Sequence, residues 1–72
     1  MTDISTLKTD DRIVFSNGHE SPVVEVIDAE AFLNISFMTE KEEELSLFFQ
    51  KETGEAPGTH YEIAKVISNG FD

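Results

Sequence analysis

Cysteine and tryptophan are absent from this 72-residue chain, proline occurs twice, and only 5 Lys and Arg stand against 15 Asp and Glu. Without Cys there is no disulfide scaffold and no zinc ribbon. A chain this short buries only about 60% of the surface its unfolded form exposes, enough for one small core, which excludes a large enzyme. The net charge of −10 opposes direct binding to DNA, RNA or anionic membrane, because each relies on Lys and Arg to neutralise phosphate. A protein partner with a basic surface is the natural alternative. The opening residues Met1 to Ser5 carry no basic stretch and no apolar run, and apolar runs elsewhere are a few residues long. The expectation is a cytoplasmic, soluble protein. Zero Cys fits a reducing compartment.

What is present points to a small β-rich domain spanning residues 1–72. Hydrophobic residues make up 39% of the chain and include 6 Phe, with aliphatics in short clusters. Residues 1–11 are polar apart from Ile4 and Leu7 and form an N-terminal lead-in that pins those side chains onto the core. Arg12 to Ser16 reads as a first strand, with Ile13 and Phe15 alternating at period two and Asn17-Gly18 supplying a turn. Pro22 then opens a β-branched run through Ile27, at the position where a strand tolerates a missing N–H. Phe32 to Met38 alternates most cleanly: Leu33, Ile35 and Phe37 point one way, Asn34 and Ser36 the other. Tyr61 to Ser68, after Pro57-Gly58, reads as a last strand with an ambiguous inward face, since Ile63 and Ile67 compete with Ala64 and Val66.

The segment from Thr39 to Gly54 fits two templates. As a helix at about 40–53 it has Thr39 as N-cap, Glu42 completing a capping box, Lys51 in the last turn and Gly54 beyond the end. As a strand it places Leu45, Leu47 and Phe49 on one face, with Glu40 to Glu43 as an acidic hairpin loop. Periodicity does not separate the two. The strand is preferred because it gives 32–38 a sequence-adjacent partner; the alternative is an α+β domain of four strands and a helix.

Leu7-Lys8-Thr9-Asp10-Asp11-Arg12-Ile13-Val14-Phe15 resembles the opening segment of small SH3-like barrels of the KOW and Tudor type, where a Leu-x-x-Gly-Asp-x-Val pattern leads into the first strand. The cluster from Pro22 to Ile27 and a final strand after Pro57-Gly58 are similar to that layout. Asp10 stands at the pattern's Gly. The resemblance implies a mainly β, five-stranded SH3-like barrel. It carries no binding residue across, since this chain has neither a methyl-lysine cage nor the basic residues that KOW domains place on RNA.

No residue set points to catalysis, a metal or a cofactor. His19 and His60 are far apart in sequence and read as surface loop residues. None of the Ser residues lies in a nucleophile elbow, the glycines are isolated turn residues, and a domain of this size has little room for a cleft that would drive two carboxylate pKa values apart. The chain therefore reads as non-enzymatic. The densest charge is Glu40-Lys41-Glu42-Glu43-Glu44. The candidate partner-binding residues are Glu40, Glu42, Glu43 and Glu44, which would dock onto Lys and Arg, with Phe48, Tyr61 and Phe71 as aromatic anchors.

Three functional classes follow. The first is a small acidic interaction domain binding a basic protein surface, as a monomer or weak homodimer. The second is a mimic of nucleic-acid phosphates that inhibits a DNA- or RNA-binding protein. The third is halophilic adaptation, in which the acidity serves solvation alone. In all three, self-repulsion among carboxylates predicts a fold that gains stability as salt rises.

Overall fold

The structure, a computed structural model, describes residues 2–68. Five antiparallel strands and no helix make up the described chain: β1 (Arg12–Phe15), β2 (Glu20–Ala29), β3 (Phe32–Met38), β4 (Glu44–Gln50) and β5 (Ile63–Ile67). They form one sheet in the order β4-β3-β2-β1-β5, so β4 and β5 are its edges and the sheet is not closed into a barrel. It is nevertheless strongly curled. On a flat sheet β1 and β4 would lie three strand spacings, about 14 Å, apart. The rings of Phe15 and Phe49, one from each strand, have centroids 6.2 Å apart. Inward side chains from all five strands meet in one core of Ile13, Phe15, Val23, Leu33, Ile35, Phe37, Phe49 and Ile63.

Two bulges allow the curl. In β2 the register against β3 shifts between Val23 and Glu25, leaving Val24 as the additional residue. Val23 and Val26, three apart, then both face inward, opposite Phe37 and Ile35. The register of β1 against β5 shifts in the same way between Val14 and Phe15, where Ala64 is additional. Ile63 and Val66 therefore share the core face, opposite Phe15 and Ile13. A bulge adds one residue to one strand and increases its local twist. This resolves the ambiguous last strand, because neither strict alternation was correct.

Strand boundaries also differ from expectation. β2 begins at Glu20 and not at Pro22, so the turn after β1 is confined to residues 16–19 and Pro22 lies inside the strand. Its missing N–H costs no ladder bond to β1. Val23 N–H donates to the Asp11 carbonyl (2.8 Å), so position 22 turns the other way. On that side the Ser21 hydroxyl accepts from Met38 N–H at 2.9 Å.

No helix forms over 40–53. Leu45, Leu47 and Phe49 pair directly with Phe37, Ile35 and Leu33, an apolar row that an isolated helix could not match. The expected capping residue instead organises a turn: Thr39 Oγ1 accepts from the N–H groups of Lys41 and Glu43, both at 3.2 Å. Glu42 then adopts φ 63°, which stops helical propagation.

The lead-in behaves as a strap. Ile4 and Leu7 are buried, and the N–H groups of Thr2 and Ile4 donate to Thr53 O (3.0 Å) and Lys51 O (2.8 Å). Asp10 has φ 80°, and Asp11, only 2% exposed, accepts from Lys8 N–H at 3.1 Å. Gly54, φ 78°, is needed where the strap crosses: a Cβ there would sit 2.9 Å from the Ile63 carbonyl oxygen and 3.2 Å from that of Thr2.

Candidate protein-interaction surface

The β3–β4 hairpin has two unlike faces. Its inner face enters the core. On its outer face, Phe48 lies opposite Asn34, which in turn lies opposite Ile27 on β2. Phe48 is 56% exposed and Ile27 51%. The next row is Ala29, Phe32 and Gln50, with Phe32 half-buried. Beside these, the Ser36 and Ser46 hydroxyls share a 2.6 Å hydrogen bond, so the centre of the face is polar but internally satisfied. Large apolar side chains left in water on a sheet face are the kind of observation that marks a contact surface.

The acidic turn caps one end of this hairpin. Glu40, Glu42, Glu43 and Glu44 are all exposed. Asn17 Nδ2 donates to Glu40 Oε2 at 3.3 Å, which ties the turn to the β1–β2 turn. His19 is also held there: its Nε2 donates to the Met38 carbonyl at 2.8 Å, and its ring lies parallel to Phe15 with centroids 5.8 Å apart. It is half-buried, packed by these contacts rather than free on a surface loop. His60 is exposed and stacks on Tyr61.

Of the candidate binding residues, the four acids and Phe48 belong to one hairpin and can act together. Tyr61 is drawn elsewhere: its ring lies 5.1 Å from both Phe15 and Phe37, edge-on to each, and it is half-buried as a wall of the core. Phe71 lies outside the described residues. Ile27 and Phe32 are not legible as surface residues in the sequence: strict alternation from Val23 puts Ile27 on the inward face, and only the Val24 bulge turns it outward.

A groove of about 320 Å³ flanks β4, lined by Phe32, Ser46, Leu47, Phe48, Ala56, Pro57 and Thr59. Its floor is the edge of the sheet. Since Thr39 N–H donates to Glu43 O and Gln50 N–H to Glu55 O, both at 2.8 Å, the odd-numbered positions of β4 bond β3 and the even-numbered ones face away. Among the described residues, no backbone hydrogen bond is made by Glu44, Ser46 or Phe48 on that outward side.

A second cleft, about 440 Å³, is lined by Asp3, Ser5, Glu30, Ala31, Phe32, Gln50, Lys51, Glu52 and Thr53. At its margin Lys51 Nζ donates to Asp28 Oδ1, and this ion pair holds the Asp28 carboxyl below its ordinary range. Asp3 is lowered as well, by hydrogen bonds from the Ser5 hydroxyl and N–H. Among the described residues no cluster of three or more His, Cys, Asp or Glu is placed to hold a metal ion. Compared with family models, curated proteins and solved structures, the chain matches none of them.

Proposed function

We propose that this chain is a non-enzymatic interaction domain that docks a protein partner through the outer face of β2–β3–β4 and the acidic turn beside it. The observation that carries this reading is the exposure of Phe48 and Ile27 in one row across an open sheet face, at a hairpin whose turn is built from glutamates. Apolar anchors beside like charges favour a partner that offers an apolar contact bordered by Lys and Arg. The glutamates raise the encounter rate and the anchors supply the affinity.

The SH3-like assignment is part of the proposal. It is supported by the order of the strands, by β2 serving two neighbours through a bulge, and by Asp10, which takes positive φ at the place where the KOW and Tudor pattern has Gly.

The test is capture of a partner from the source cell lysate by wild-type protein, by Phe48→Ser and by a Glu42→Gln/Glu43→Gln/Glu44→Gln variant, with and without excess duplex DNA. A basic partner whose affinity falls about tenfold or more with Phe48→Ser, and whose association slows with the glutamine variant, is the expected result. Equal capture by all three proteins would remove this surface from consideration. Release of the partner by duplex would favour phosphate mimicry, whereas a ternary complex would exclude it.

A further inference from the structure

The two edges of the sheet are not equivalent. β5 is five residues long, carries Lys65 and a bulge at Ala64, and is partly occupied: Thr2 Oγ1 donates to Ala64 O at 2.9 Å, and Ile63 N–H donates to Gly54 O at 2.8 Å. Charge, bulges and covering segments are the means by which exposed edges avoid pairing with other chains. β4 carries a charge only at Glu44 and is covered only at its far end, where Gln50 N–H donates to Glu55 O and Gln50 O accepts from Gly54 N–H, both at 2.8 Å. It runs seven residues from Glu44 to Gln50 without Pro, Lys or bulge, in unbroken register with β3. Its outward N–H and C=O groups at Ser46 and Phe48 open onto the groove walled by Pro57 and Thr59, and those of Glu44 lie outside that groove.

We propose that β4 receives an extended basic segment of the partner as an additional strand, a mode that rests on the interaction reading above and specifies it. Main-chain bonds to Ser46 and Phe48 would give affinity, and side chains alternating along the added strand would give selectivity. On the outer side the row is Glu44, Ser46, Phe48, which suits Arg at alternate positions: one guanidinium can pair with Glu44, and a second, about 13 Å further along the added strand, can lie over the exposed ring of Phe48. The inner side offers the half-buried Leu45 and Leu47, which suit Val or Ile. Charge selects the occupant. A second copy of this chain would bring another −10 and a second Glu44 to the same edge, whereas a cationic strand meets attraction from the turn inward.

The experiment uses the full chain and a peptide of alternating Val and Arg, with an alternating Val and Glu peptide as control, followed by amide exchange and titration. The expected result is binding of the Arg peptide alone, with the Ser46 and Phe48 amides gaining protection of tenfold or more. Ser46→Pro removes one outward donor and no backbone bond to β3, though it gives up the hydroxyl pair with Ser36, and should abolish that binding while a folded spectrum is retained. Should Ser46→Pro not fold, the exchange of those two amides in the wild type decides. Binding that slows exchange elsewhere but not at Ser46 and Phe48 would overturn strand addition and leave the interaction reading standing. Failure of the Arg peptide together with capture of a basic partner would do the same. Failure of both would overturn both. Protection of those amides that rises with protein concentration in the absence of peptide would instead assign the edge to a second copy.

Discussion

The β3–β4 hairpin and the β1–β2–β5 half of the sheet are built from similar residues, yet only the first obeys strict alternation. From Phe32↔Gln50 to Met38↔Glu44 the hairpin keeps one register, so every second residue of each strand reaches the core. The other half bends the sheet, and its bulges at Val24 and Ala64 put core residues three apart. A straight ladder carries a surface; a bulged one closes a core. This division explains why the free edge lies on the hairpin side, and the Val24 bulge turns Ile27 of β2 outward to extend the row begun by Phe48.

The comparison breaks most severely where the two halves share a core residue. Phe49 comes from the hairpin and packs against both Phe15 and Phe37. Phe49→Ala should cost about 3–5 kcal/mol, comparable to the whole stability of so small a domain, and is expected to appear as loss of a cooperative thermal transition. Phe48→Ala, one residue away on the outer face, should leave the transition within about 0.5 kcal/mol of wild type. Equal effects of the two would contradict the inner and outer assignment.

Next in size are the joints. Gly54→Ala forces a Cβ against two carbonyl oxygens at positive φ and should destabilise by more than about 1 kcal/mol in denaturant melts. Asp10→Gly works in the opposite direction: relieving a non-glycine residue at φ 80° should stabilise by up to about 1 kcal/mol. A destabilised Asp10→Gly variant would mean that the Asp10 side chain contributes more than its backbone strain costs.

The smallest effect is electrostatic. Lys51, just past β4, holds Asp28 of β2 and so links the two halves at one end. The folded-state Asp28 pKa lies below its ordinary value, so the pair's contribution is present above that value and is lost as pH falls through the lowered one. Lys51→Met should therefore be slightly less stable than wild type near pH 6, and the difference should vanish towards about pH 2. A difference that persists in acid would show that the Lys51 stem, not its charge, is what matters.

Legibility in the sequence followed the same division. β3 and its inward residues were readable because no bulge interrupts them, and Ile4 and Leu7 stood out as isolated apolar residues within the polar stretch 2–11. The strand at 44–50 was readable only through its partner, since Thr39 and Glu42 also satisfy a helix start; cross-strand burial at Leu45, Leu47 and Phe49 decides, and that is a tertiary fact. The bulges left no local signal. Alternation from Val23 therefore assigns Ile27 to the wrong face, and Tyr61 reads as a surface anchor although its ring completes the Phe15–Phe37 cluster. The free edge of β4 follows from strand order alone, which no local pattern encodes.

The pairing of β5 with β1 has a consequence in time as well as in space. β2, β3 and β4 are joined by tight turns and pair with their sequence neighbours, so their contacts close short loops, while Arg12 must find Ile67 from the opposite end of the chain. Loop-closure entropy places such a contact late, and proteins governed by distant pairings fold slowly. β1 reaches β2 through an equally short turn, so the β1–β4 meander forms as a template, and β5 and the N-terminal strap settle onto it in a final step. During synthesis on the ribosome, the core remains open on one side until residue 67 has emerged.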